Sequence, residues 1–177
     1  EGDYVTFGFY ETTDISQMIS YTDSLFSINN LGIWGQSLGG SIALQLRAKD
    51  KRISYGIIES TYSRFDEVVH NYANRIVGFS LGYLNDYTIW RAQSIGDFDR
   101  KGLNPEDACK KIEQPILYVH GTADDRIDVS CASRNFNNIK STEKELILIP
   151  GANHINVWQI GGISYQEKCL EFLKRNH

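Results

Sequence analysis

A serine with glycine two residues to either side, Gly35-Gln36-Ser37-Leu38-Gly39, follows an apolar run at Leu31 to Trp34 and opens an amphipathic segment from Ser41 to Lys49. In that setting G-x-S-x-G places a nucleophilic hydroxyl on a sharp strand-to-helix turn. The turn needs strained backbone angles and the helix must approach the strand closely, so side chains at Gly35 and Gly39 are expected to collide. A neutral serine hydroxyl attacks a carbonyl only with a base in hydrogen-bond reach, and that base needs a group to orient it. His154 is the candidate base, and Asp124 the candidate orienting acid. Each lies just past an apolar β-type run: Pro115 to Val119 leads into His120-Gly121-Thr122-Ala123-Asp124, and Glu145 to Pro150 into Gly151-Ala152-Asn153-His154. The backbone N–H of Leu38, at the start of the helix after Ser37, is the natural oxyanion donor, with the helix dipole adding to it.

Asp125 competes with Asp124 by one residue of register. Asp128 follows Ile127 and precedes a helical pattern at Val129 to Ile139, so it reads as an N-cap oxygen with Ile127 as a hydrophobic staple. The acidic cluster lacks the alternating oxygen ligands of a calcium loop, and neither a metal nor a cofactor is expected. Of the remaining histidines, His120 ends a strand beside the acid turn and is expected to bond the backbone there, His70 lies within a predicted helix, and His177 is the last residue.

The elements that must hold these residues follow from apolar periodicity. Ile15, Met18, Ile19 and Leu25 or Phe26 recur at helical spacing after Thr12-Thr13-Asp14, whose oxygens suit a helix start, and predict a helix of about 12 residues. Strands are predicted at Leu31 to Trp34, Tyr55 to Glu59, Ile116 to Val119 and Leu146 to Ile149. Strands joined by helical crossovers form a parallel sheet covered on both faces, which explains why these runs are continuously apolar. A carboxyl-terminal helix is predicted over Ile163 to Lys174 with Tyr165, Leu170, Phe172 and Leu173 buried. The long connection from Ser60 to Gln114 carries helical patterns at Phe65 to Ile76 and Pro105 to Ile112. Between them runs an aromatic-rich stretch (Phe79, Leu81, Tyr83, Leu84, Tyr87, Ile89, Trp90), either a pocket wall or ordinary packing.

The 177 residues suffice for one domain burying roughly 70% of its unfolded surface. A net charge of -4 without a basic cluster argues against nucleic acid as a partner. No apolar run approaches the roughly 20 residues of a membrane span, and the polar start does not resemble a signal peptide. Cys109, Cys131 and Cys169 are odd in number and lack metal-type spacing, which points to free thiols and a cytoplasmic setting.

The order serine, acid, histidine is that of the α/β-hydrolases, and the chain resembles the carboxyl-terminal two-thirds of that fold, in the branch of acyl esterases, thioesterases and serine aminopeptidase-like enzymes. Tyr4-Val5-Thr6-Phe7-Gly8 with Glu11 and Asp14, the serine turn, Ile58-Glu59-Ser60-Thr61-Tyr62 and the two later turns carry the resemblance. It implies a parallel sheet with helices on both faces, one partial domain over 1–177, and a cap-like insertion over 60–114. It also implies a serine hydrolase acting on a small acyl ester or thioester, or on a peptide-like substrate, with Ser37, Asp124 and His154 as the triad. Nothing here matches the family's first strands or the His-Gly turn that supplies a second oxyanion amide. The chain is therefore expected to be a fragment, a processed product or half of a split protein that pairs through the Leu31 edge with a missing amino-terminal half, with another copy or in aggregates. The absent oxyanion loop leaves a non-catalytic fragment or binding domain as the alternative to an enzyme.

Overall fold

Residues 4–78 and 82–177 are described in a computed structural model of the chain. The four apolar runs form one parallel sheet: β1 (Leu31–Gln36), β2 (Ile53–Glu59), β3 (Ile116–Gly121) and β4 (Lys144–Ile149), in the spatial order β1-β2-β3-β4. Every residue of β3 is buried, as befits a central strand covered on both faces. Each strand runs a residue or more beyond its predicted bounds, since hydrogen bonding continues past the apolar core of the run.

Helices cover both faces. On one side α2 (Leu38–Lys49), α5 (Pro105–Cys109) and α6 (Ser130–Asn138) pack Ala43, Leu44, Cys109 and Ala132 onto Ile58, Ile116 and Tyr118. On the other, α7 (Val157–Asn176) packs Val157, Tyr165, Cys169 and Phe172 onto Ile57, Leu117 and Val119. Between β2 and β3 lie α3 (Phe65–Val77) and α4 (Tyr83–Gly96), followed by a 3-10 turn and α5. Tyr62, Phe65, Ile89, Phe98, Leu103 and Ile127 form a third apolar cluster beneath them.

Three expectations need correction. The first helix, α1 (Glu11–Phe26), has 16 residues and starts before Thr12. Glu11 reaches back to accept from the Thr6 and Gly8 N–H groups at 2.6 and 2.8 Å, which fixes the entering turn without an N-cap side chain. Of the residues whose spacing predicted this helix, Ile15 and Ile19 are half-buried, while Met18, Leu25 and Phe26 are 66%, 56% and 74% exposed. In α7, which begins at Val157 and breaks helical geometry at Gly162, the buried row is Tyr165, Cys169 and Phe172, while Leu170 faces solvent. The i, i+4, i+7 spacing of that row leaves Leu170 off the stripe. In α4, Tyr83, Leu84, Tyr87 and Trp90 are exposed and only Ile89 of that set enters the core. Phe79 and Leu81 lie outside the described residues. Among the described residues no helix is long and apolar enough to cross a membrane.

Candidate active site

Ser37 sits between β1 and α2 at φ 55°, ψ -120°, a conformation that L-residues rarely adopt. The neighbouring backbone holds it there. Its N–H donates to the Glu59 carbonyl at 2.9 Å, and its own carbonyl accepts from Thr61 Oγ1 at 2.6 Å. A Cβ on Gly35 would strike the Gly39 carbonyl, so glycine is required there. The second crowded position is Gly40, whose Cβ would lie 2.9 Å from Thr61 Cβ. Gly39 itself faces open space, contrary to the sequence expectation. The Leu38 N–H stands at the first position of α2, where helix donors have no intrahelical acceptor.

The side chain of Glu59 is buried on the opposite face, accepting from Trp34 Nε1 at 3.1 Å and from the Tyr165 hydroxyl. Burial raises its carboxyl above the ordinary value, against those donors. Glu59 thus ties β1, β2 and α7 together beside Ser37.

The turns after β3 and β4 are laced to each other. Thr122 N–H donates to Ile149 O at 3.0 Å, Ala123 N–H to Ala152 O at 2.9 Å, and Gly151 N–H to Thr122 Oγ1 at 2.9 Å. A side chain at Gly121 would run into the Ala152 carbonyl, so this close approach depends on glycine. Asp124, whose side chain is fully buried, accepts at Oδ1 from the Arg126 and Ile127 N–H groups, each at 2.9 Å. Its Oδ2 lies 2.8 Å from His154 Nδ1 and 3.3 Å from His120 Nε2. Burial alone would raise the carboxyl, but the donors from His120, His154, Ile127 and Arg126 outweigh it and hold the group well below the usual carboxylate range.

His154 is 5% exposed and its Nε2 lies 2.8 Å from Ser37 Oγ. With the ionised Asp124 accepting only, Nδ1 carries the proton and Nε2 is free to accept from the serine hydroxyl. Ser37, His154 and Asp124 therefore meet in one hydrogen-bonded row. Asp125 points elsewhere, to Arg75. Asp128 bonds the Ser130 N–H at 2.8 Å, as an N-terminal oxygen of α6 does. The contact of His120 with Asp124 was missed in the sequence, where only backbone partners were expected. Its backbone bond is real too, to Ile127 O at 3.0 Å.

A cavity of about 460 Å³ opens at Ser37, lined by Phe7, Leu38, Tyr62, Val69, Tyr72 and Ile76 among others. Its long wall is the apolar face of α3. The sequence singled out the aromatic stretch further on, which in α4 turns to solvent. Among the described residues, no group of His, Cys, Asp and Glu side chains is arranged to hold a metal ion.

A parallel sheet with a strained serine at one strand end, and the histidine and aspartate of the same hydrogen-bonded row beyond two others, is the α/β-hydrolase architecture. The chain belongs to the prolyl oligopeptidase family, whose sequence pattern matches residues 6–177. It is 25% identical over 178 residues to the uncharacterized protein YqkD of Bacillus subtilis, covering 97% of this chain and 57% of that one. The fold is similar to the Pyrococcus furiosus esterase Pf2001, with TM-score 0.77, 20% identity, and coverage of 99% of this chain and 65% of the esterase. It is also similar to the Pyrococcus horikoshii acylaminoacyl peptidase, with TM-score 0.70, 20% identity, and coverage of 97% and 28%. The chain thus spans about half the length of the curated relatives it matches and about two-thirds of the esterase.

Proposed function

We propose that this chain carries the catalytic residues of a serine hydrolase that cleaves esters or thioesters through an acyl-enzyme intermediate. The observation that carries the reading is the continuous row Ser37 Oγ, His154, Asp124, with both links at 2.8 Å. In the first half-reaction Ser37 Oγ bonds to the acyl carbon as its proton passes to His154 Nε2. Asp124 holds the imidazole in the accepting tautomer and stabilises the charge it gains. The Leu38 N–H stabilises the oxyanion, the carbonyl re-forms, and the alcohol or thiol leaves with the proton from His154. Water then repeats the sequence on the acyl-enzyme. No step calls on a metal or cofactor.

The cavity supports a neutral apolar acyl or aromatic group, with the segment over residues 60–114 acting as its cap. Peptide or amide cleavage on the same residues is the second reading, favoured by the family itself. The cytoplasmic setting is likewise part of the proposal, supported by three buried cysteines that are all unpaired. Labelling with a fluorophosphonate probe, with the adduct located by mass spectrometry, tests the hydrolase reading. An adduct on Ser37 that Ser37→Ala abolishes is the expected result, and a folded chain that takes up no probe would make it a non-catalytic domain.

A further inference from the structure

His120 closes β3, is fully buried, and takes no part in the row described above. Its Nε2 lies 3.0 Å from the Ile127 carbonyl oxygen and 3.3 Å from Asp124 Oδ2. Both oxygens only accept, so Nε2 carries the proton and Nδ1 is the bare nitrogen. Among the described residues Nδ1 has no hydrogen-bond partner. A buried acceptor left unpaired is a cost that an apolar side chain would avoid, so packing alone does not account for an imidazole here.

We propose that His120 is a positioning residue for the Ser37 reaction: its Nε2–H, shared between Ile127 O and Asp124 Oδ2, fixes the carboxylate and draws off part of the negative charge that faces His154. The proposal rests on the hydrolase reading above. Asp124 then accepts from two backbone N–H groups at Oδ1 and from the His154 imidazole at Oδ2, with His120 Nε2 3.3 Å from that same oxygen. A carboxylate shared among four donors is a weaker partner for the imidazolium that His154 becomes on taking the serine proton. Removing the His120 donor leaves more charge for His154 and favours its protonated, non-basic form up to higher pH.

The groups that bear on this set are few. Asp124 faces His120 from its own turn and His154 faces Asp124 from the turn before α7. From the segment entering α6, Asp128 acts at longer range, its carboxylate engaged by the Ser130 N–H. Beside His120 on β3 lies Tyr118, whose burial raises its hydroxyl well above the ordinary value and keeps it neutral. Across on β4 the register partner is Leu148, which is apolar.

The test is the rate of fluorophosphonate addition to Ser37 as a function of pH in the wild-type chain, His120→Gln and His120→Leu, with thermal unfolding measured on each. In His120→Leu the rise of rate with pH should move to higher pH by about half a unit, with a plateau lowered on the order of tenfold through looser alignment. The amide nitrogen of His120→Gln replaces the donor and should return the rise to its wild-type position. If the leucine variant does not fold, His120→Asn takes its place, since its amide ends where the Nδ1 ring atom lies. An unshifted rise in the donor-less variant, or an equal shift in His120→Gln, overturns the role of His120 alone. A folded wild-type chain that never labels at Ser37 removes the hydrolase reading, and this proposal with it.

Discussion

Arg75 Nη2 and Asp125 Oδ2 lie 2.8 Å apart, joining the last turn of α3 to the turn that carries Asp124. The adjacent aspartates thus have different partners, one an exposed arginine and the other a buried imidazole. Asp124→Asn should lower Ser37-dependent turnover by on the order of 10⁴-fold, because the imidazole loses the partner that sets its tautomer. Asp125→Asn should leave the rate within about threefold and, as an exposed ion pair, should scarcely move the unfolding temperature. Ester hydrolysis assays on the two variants separate them, and the reverse ranking would reassign the acid.

Acid should weaken the fold through Asp50, which joins the end of α2 to Arg52 and α1. Its carboxylate accepts from Arg52 at 2.5 Å and from the Ser16 hydroxyl at 2.7 Å. The Arg52 hydrogen bonds, set against burial and helped by Ser16, hold its carboxyl well below the ordinary value of 3.8. Because the folded-state value is depressed, the unfolded chain takes the proton first. The contribution is complete above pH of about 4 and is lost as pH falls below it. Asp50→Asn should therefore unfold at a lower temperature than wild type at pH 7, and the gap should narrow steadily toward pH 2. A gap independent of pH would show that the charge contributes nothing.

Arg47 is fully buried in α2, and its Nη2 donates to the Pro115 carbonyl at 2.9 Å while Nε and Nη1 have no partner among the described residues. Burial lowers its guanidinium to about 10. Desolvating an ion costs several kcal/mol, whereas the single hydrogen bond returns about 1.5 to 3 kcal/mol. Arg47→Met, of similar length and without charge, should raise the unfolding temperature, and Arg47→Ala should lower it by opening a cavity. A drop for the methionine variant as large as for alanine would mean that the charge is compensated.

The neutral lining of the cavity should select its substrates. Aryl esters of medium-chain acids should be cleaved faster than the acetate, and those of half-protected dicarboxylic acids, which present a free carboxylate to the cavity, more slowly than either. Val69→Asp, on the cavity-facing side of α3, should abolish the preference for the longer chain. Steady-state kinetics with a graded ester series measures both effects.

The two edges of the sheet differ in chemistry. β4 begins with Lys144 and Glu145, charges that discourage a further strand, whereas β1 reads Leu-Gly-Ile-Trp-Gly-Gln and carries none. Its Trp34 is 43% exposed, and Met18, Leu25 and Phe26 of α1 are open as well. We propose that this edge pairs with a further strand, either from sequence continuous with this chain or from a second copy. In light scattering at neutral pH the isolated chain should exceed the monomer mass, and a stable monodisperse monomer would contradict this.

Much of the site was legible because local chemistry specifies it. Gly35, Ser37 and the apolar run before them encode a strained turn within a few residues, and the two later turns follow strands that read as uninterrupted apolar runs. What could not be read depends on tertiary neighbours. The sequence favours Asp124 but leaves Asp125 as a rival one residue away, and it is the placement of α3, with Arg75 in its last turn, that draws Asp125 outward. The spacing of Ile15, Met18, Ile19 and Leu25 marked a helix, but periodicity reports only that residues share a face and not whether that face is covered. The same limit left the aromatic stretch of α4 open between pocket wall and packing, when α3 supplies the wall, since both helices carry apolar side chains and their orientation about the site is set by packing. Gly40 was overlooked because its crowding comes from Thr61, on the far side of β2.

Ser37 and His154, whose side chains share a hydrogen bond, stand 117 positions apart in the chain. Parallel strands force such separation, because each must wait for its crossover, and distant pairings form late and slowly. Under the hydrolase reading proposed above, chemical reactivity at Ser37 is a clock for the end of folding. In a refolding experiment helical circular dichroism should recover first and probe uptake last. During synthesis the serine should then stay inert until α7 has emerged and docked, so that on this reading a nascent chain carries no reactive hydroxyl without a finished pocket around it.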